Sequence, residues 1–292
     1  MAKNSKIEWT HHTFNPWWGC TKVSAACKHC YAETWAIRLG LDLWGGKTSR
    51  RFFSEHHWKE PLRWNEEAKW ERQRRRVFCA SMADVFENRR ELDSWRERLW
   101  NLIASTPSLD WLLLTKRPEL IARFAPWDKD WPTNVWLGTT VESQRWAEKR
   151  IEALLQHPAA VRFVSCEPLL GFLDLRPWLG SQEKRGSLHW VIAGGESGAA
   201  ARPMNPAWAK DLRDQCLTAG IPFHFKQWGH WRPESMPVRS GHRTVQVFDT
   251  TGRPVTLIRL GKKASGRDLD GRTWDQFPAQ GDKLDGLKIK RV

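Results

Sequence analysis

The sequence predicts an α/β fold, a series of βα units forming a partial or full barrel with a polar mouth. Three observations carry this. Short apolar runs alternate with segments of helical spacing from about residue 65 to 228, the pattern of a parallel sheet built from βα units. Each apolar run stops at a cluster of polar or ionisable residues, where such sheets collect their chemistry. A loop with three cysteines precedes the alternation.

The first 60 residues are rich in His, Trp, Gly and turn formers and hold the cysteine loop, 15–32. Asn65 to Arg76 reads as a helix with a basic end, followed by the apolar run Val77-Phe78-Cys79-Ala80, which stops at Ser81-Met82-Ala83-Asp84. Leu92 to Ile103 has helical spacing through Trp95, Leu99 and Leu102. Trp111 to Leu114 ends at Thr115-Lys116-Arg117-Pro118, with a short helix from Glu119. Val135 to Gly138 ends at Thr139-Thr140-Val141-Glu142, followed by a helix carrying Trp146, Ile151 and Leu154. Val161 to Val164 ends at Ser165-Cys166-Glu167-Pro168. Trp190 to Ala193 ends at Gly194-Gly195-Glu196, with a helix from about Pro206 to Ala219. Ile221 to Phe225 is a last strand, ending at Lys226-Gln227. Singly, each polar end is explained by capping or turn chemistry; the mixed-sign ring they form together is not.

The rhythm stops near residue 232. Val245 to Phe248 and Val255 to Ile258 flank a turn and read as a hairpin. Gly261-Lys262-Lys263-Ala264-Ser265-Gly266-Arg267 lacks P-loop spacing and reads either as a solvated loop or as a phosphate-contacting one. The expected division is therefore a barrel domain, 1–232, and a C-terminal hairpin with a basic extension, 233–292.

With 47 Lys+Arg against 33 Asp+Glu the formal net charge is +14, which favours a polyanionic partner, DNA or RNA. No run approaches the ~20 apolar residues of a membrane span, and the polar start does not read as a signal peptide, so the expected location is the cytoplasm. Reduced thiols are expected there. Three of the six cysteines, Cys20, Cys27 and Cys30, fall within eleven residues and point to metal; Cys79, Cys166 and Cys216 are scattered. Two metal readings compete. Zinc needs four tetrahedral ligands, which His11, His12 or His29 could complete, giving a zinc-stabilised nucleic-acid-binding module. A 4Fe–4S cluster can use three cysteines and leave one iron open to a small molecule. The 21 tryptophans are read mainly as packing.

The three cysteines ahead of βα units resemble the fingerprint of the radical S-adenosylmethionine enzymes, in which three residues and then two separate the cysteines. Here the gaps are six and two, with His29 in the usual aromatic position before the last cysteine. Within that superfamily, Thr115-Lys116 and Glu167-Pro168 resemble the spore photoproduct lyase branch. Ile7-Glu8-Trp9-Thr10, Asn15-Pro16-Trp17, Cys27 to Ala32 and Lys262 to Trp274 resemble a phage- and prophage-associated family. The resemblance implies a radical-SAM-type (βα) partial barrel and a 4Fe–4S cluster on Cys20, Cys27 and Cys30. It implies cleavage of S-adenosyl-L-methionine to methionine and a 5′-deoxyadenosyl radical, with an electron donor such as a flavodoxin or ferredoxin. It further implies cofactor contacts from Ser81 and Asp84 (amino group), Lys116 or Arg117 (carboxylate), and Thr140 or Glu142 (ribose). Glu167 joins these contacts at its strand end, and Gly194, Gly195 and Glu196 lie near adenine or substrate. Cys166 is either a hydrogen-atom donor to a substrate radical, as in the lyase branch, or a buried packing residue. The expected chemistry is repair or modification of a nucleic-acid base; a peptide or small metabolite is the other substrate class.

Overall fold

The computed structural model describes residues 2–180, 187–234 and 241–279. The final stretch of the expected extension, 280–292, lies outside them. Seven parallel strands run in sequence order: β1 (His12–Thr13), β2 (Arg75–Cys79), β3 (Leu109–Thr115), β4 (Val135–Thr140), β5 (Val161–Cys166), β6 (Trp190–Gly194) and β7 (Phe223–Gln227). The helices are α1 (Tyr31–Arg38), α2 (Glu55–Trp70), α3 (Asp93–Ala104), α4 (Ile121–Phe124), α5 (Gln144–Leu155) and α6 (Pro206–Ala219). The expected α/β partial barrel is present.

Its curvature follows from side-chain contacts. Trp9, just before β1, has its ring 6.3 Å from that of Trp190 on β6. Five strand spacings of about 4.8 Å would separate these strands by roughly 24 Å in a flat sheet. The sheet is therefore curled, with Trp9, Phe78, Leu112, Trp136, Phe163 and Trp190 packed together on its concave side. Room for the Phe163 ring comes from Gly138, its register partner on β4. A Cβ at residue 138 would lie 2.3 Å from the Phe163 Cζ. The larger core lies between the convex face and the helices. Thirteen of the 21 tryptophans are buried, so packing accounts for most of them.

Two boundaries differ from expectation. The helix placed at Asn65 to Arg76 is α2, which starts at Glu55 and stops at Trp70. Trp58, Pro61, Trp64 and Ala68 form its buried face, a stripe that decides the helix limits more than composition does. Arg75 and Arg76 instead begin β2. The two-residue β1, too short for any periodicity, was not expected.

The hairpin is present as β9 (Thr244–Phe248) and β10 (Pro254–Arg259), paired through Val247 and Val255. A further strand, β8 (Trp231–Pro233), joins β10 to give a three-stranded antiparallel sheet. After the four-residue helix α7 (Lys262–Ser265) the chain returns to the barrel. Phe225 N–H donates to the Trp274 carbonyl (2.9 Å), and Trp190 Nε1 donates to the Gln276 carbonyl (2.9 Å). The Phe277 ring then packs against Trp190 at a tilt of 44°, centroids 5.3 Å apart, with the Arg76 guanidinium 4.0 Å from its ring centre. This segment pairs along the β7 edge, and Phe277 packs against the aromatic cluster inside the sheet.

Among the described residues no helix is long and apolar enough to cross a membrane.

Candidate active site at the barrel mouth

A cavity of about 380 Å³ opens at the carboxyl ends of the strands. Its floor is the aromatic layer of Trp9 and Phe78, and one wall is the cysteine loop. Cys20, Cys27 and Cys30 all line it. All six cysteines are free.

The loop is held against the barrel at several backbone points. Gly19 N–H donates to the Met82 carbonyl (3.0 Å). Gly19 has a φ of +112°, and a Cβ there would sit 2.5 Å from the Leu43 carbonyl oxygen, so only glycine allows this approach. Arg117 donates to the Thr21 carbonyl (2.6 Å), Arg202 to the Ala25 carbonyl (3.1 Å), and Ala26 N–H donates to Glu142 Oε1 (3.3 Å). The ionisable strand ends thus act first as a frame for the cysteines.

That frame changes what several sequence-predicted residues can do. Asp84 is buried and pairs with Arg117 (2.9 Å) while accepting from Thr115 Oγ1 (2.7 Å), Lys116 N–H (3.0 Å) and Phe86 N–H (3.1 Å). Burial alone would raise its carboxyl. Arg117 and the donated hydrogen bonds outweigh this and hold it below the usual carboxylate range. Asp84 and Arg117 border the cavity, but their polar atoms are engaged with each other and with the loop. Glu142 is 1% exposed and off the cavity wall. It pairs with Arg150 (2.9 Å), which also donates to the Thr140 carbonyl (2.8 Å). The Glu142 carboxylate, expected at a ribose, is thereby engaged with Arg150 and the Ala26 N–H. Gly194 is also off the wall, packed towards Glu167 and Gln227.

Cys166 is likewise turned away. Ser165 and Glu167 line the cavity and Cys166 does not, as side-chain alternation on a strand requires. It is fully buried in the core between sheet and helices, with Cys216 of α6 in the same core. Burial pushes its thiol well up. Of the two roles considered for it, this placement suits packing; a hydrogen donor would have to face the cavity.

The cavity wall retains Ser81, Lys116, Thr140, Glu167, Gly195 and Glu196. Lys116 Nζ donates to Thr140 Oγ1 (3.3 Å). Glu196 binds Arg202 (2.6 Å) and lies 3.1 Å from His29 Nδ1, coupling the β6 end to the CxxC segment. Glu167 accepts from Lys226 Nζ at 2.7 and 2.8 Å and from Gln227 Nε2 at 3.0 Å, a partly buried ion pair on the cavity wall.

Several contributors were missed or underrated by sequence reasoning. Tyr31, beside Cys30, lines the cavity and donates its hydroxyl to the Ser81 carbonyl (2.7 Å). Asn15 accepts from Met82 N–H (2.7 Å) and donates to Ser81 Oγ (3.1 Å). A buried Arg50–Glu87 pair (2.7 Å) braces the loop from below, Arg50 also reaching Thr21 Oγ1 (3.1 Å). The Cys27 to Ala32 and Asn15-Pro16-Trp17 motifs were the only signals for these, covering Tyr31 and Asn15; Arg50 and Arg202 sit in no motif at all.

Among the described residues no three His, Cys, Asp or Glu side chains converge on a point that could hold a single ion. Burial pushes the Cys20 thiol up to about 12, Asp84 adding to the rise and Arg117 opposing it, and burial also raises Cys30. Such thiols ionise when a bound cation compensates the charge.

A comparison with curated proteins finds no match. Among solved structures, a spore photoproduct lyase mutant aligns with 12% sequence identity and a TM-score of 0.45, covering 89% of this chain and 72% of that one. The sequence matches the family described as protein of unknown function (DUF5131) over residues 4–278, and the chain belongs to that family.

Proposed function

We propose that this chain is a radical S-adenosylmethionine enzyme that acts on nucleic acid, repairing or modifying a base. The observation that carries the reading is the joint placement of Cys20, Cys27 and Cys30 on one wall of a cavity at the carboxyl ends of seven parallel strands. The donor set suits a cluster. A single zinc ion needs four donors on one point, whereas a 4Fe–4S cluster spreads its thiolates over separate irons and leaves one iron open. When bound, a reduced cluster of this kind supplies the electron that cleaves S-adenosylmethionine.

The chain's own residues have definable tasks. Arg117, Glu142 and Arg202 hold the loop backbone so that the three thiols stay on the cavity wall. Ser81, Lys116 and Thr140 offer donors and acceptors to the amino-acid and ribose ends of the cofactor, and Gly195 and Glu196 border the space for adenine or substrate. Trp9 and Phe78 form a dry floor, which excludes water from a reactive intermediate. Glu167 and Lys226, also on the cavity wall, are the groups we assign to orienting the substrate. The net charge of +14 suits a nucleic-acid substrate, and reduction falls to a partner such as a flavodoxin or ferredoxin.

Anaerobic purification and reconstitution test the reading. A brown protein with iron and acid-labile sulfide is expected, and Cys20→Ala, Cys27→Ala and Cys30→Ala should each lose both, because a three-ligand site has no spare thiol. A colourless protein carrying zinc would overturn it.

A further inference from the structure

We infer that the turn at 261–266 is a phosphate-binding site that seats a nucleic-acid backbone on the lip of the cavity. The inference rests on the nucleic-acid reading above and gives it a place on the molecule.

Charge is the first observation. Residues 241–267 carry six Lys+Arg (Arg243, Arg253, Arg259, Lys262, Lys263, Arg267) against one acid, Asp249. About a third of the chain's net charge thus sits in this short segment. Some of these side chains are occupied: Arg267 pairs with Asp275, and Arg259 reaches the Gly198 carbonyl (3.3 Å). Lys262 and Lys263 are exposed and form no ion pair among the described residues. Elsewhere on the cavity wall the lysines are engaged: Lys22 with Glu33, Lys226 with Glu167, Lys116 with Thr140.

Position is the second. Lys262 lines the cavity, so the basic turn and the reaction site share one opening. The third is rigidity. Leu260 and Gly261 N–H groups both donate to the His230 carbonyl (3.1 and 3.3 Å), and Trp228 N–H donates to the Gly266 carbonyl (3.1 Å). Gly261 and Gly266 frame the turn with φ of +85° and +70°, conformations that favour glycine. His230 in turn donates its N–H to the Glu196 carbonyl (3.0 Å). The backbone of the turn is therefore pinned to the exits of β6 and β7, and it carries two ammonium groups without an ion pair among the described residues, Lys262 on the cavity wall and Lys263 next to it in sequence. Lysine supplies a point charge for phosphate without reading sequence. A polymer held here by its backbone would present a base to the cavity beside it.

The test uses the full chain and fluorescently labelled single- and double-stranded oligonucleotides across a salt series. Each lost phosphate contact should make the log–log salt slope shallower by about 0.9 for duplex and about 0.7 for single strands. Lys262→Ala/Lys263→Ala should therefore flatten the slope by about two contacts and weaken binding alike across sequences. Arg145→Ala/Lys149→Ala, which removes two exposed charges from α5 on the convex side, should leave the slope unchanged. A thermal melt confirms that both variants fold. An unchanged slope in the Lys262/Lys263 variant, an equal change in the α5 variant, or no binding by the parent protein at low salt would each overturn the inference. Binding needs no cluster, so iron and sulfide content scores the enzyme reading separately.

Discussion

Replacing Arg117 with methionine isolates the link between the strand-end frame and the cysteine loop. The side chain is 8% exposed, its partner Asp84 is 7% exposed, and their atoms approach to 2.9 Å. Removing one member of a buried pair costs about 3–5 kcal/mol, because the other charge is stranded. Asp84 keeps hydrogen bonds from Thr115, Lys116 and Phe86, which places the pair term near the lower end. The lost bond to the Thr21 carbonyl adds about 1 kcal/mol. A total of about 4 kcal/mol corresponds to a fall of roughly 8 °C in Tm, at about 2 °C per kcal/mol for a chain of this size. The loss has a defined pH dependence. Asp84 has a depressed pKa in the folded state, so the stability it contributes is present above the unfolded carboxylate value of about 3.9 and disappears as pH falls through the folded value. The gap between parent and Arg117→Met should therefore be full at neutral pH and shrink in acid. Chemical denaturation at several pH values measures it, and iron content after reconstitution should fall in parallel. A loss below about 1 kcal/mol with normal iron loading would refute the claim that Arg117 organises the loop.

Two further predictions follow from the packing. Cys166→Ala should leave cluster assembly and the identity of any substrate product unchanged while lowering stability by about 1 kcal/mol; a changed product would place this thiol at the reaction site after all. Gly138→Ala should cost about 1–3 kcal/mol through overpacking against the Phe163 ring. Phe163→Leu in the same chain should recover part of that loss, and purely additive effects in denaturation would refute the contact.

Much of the fold was legible because parallel strands buried on both faces read as continuous apolar runs. Trp111 to Leu114 and Trp190 to Ala193 needed no tertiary context to be recognised. β1 was invisible because His12 and Thr13 are polar-capable residues with no period, placed by backbone pairing to Val77 and Phe78. The site was half legible. Asp84, Arg117, Glu142 and Glu196 stand at strand ends as expected, but their partners lie at sequence distances no local pattern reports. Glu142 meets Arg150 and the backbone of Ala26, and Glu196 meets Arg202 and His29. Whether an ionisable group serves a ligand or a neighbouring loop is decided by those partners. The facing of Cys166 depended on the parity of β5, which the sequence left open by a single residue.

S-adenosylmethionine cleavage by the anaerobically reconstituted protein under reduction is the decisive measurement. Formation of 5′-deoxyadenosine, with about four irons and four sulfides per chain, is predicted, and the product should vanish in each of Cys20→Ala, Cys27→Ala and Cys30→Ala. A protein that carries a full cluster complement yet yields no 5′-deoxyadenosine, or one that retains cleavage when any of the three cysteines is removed, would contradict it.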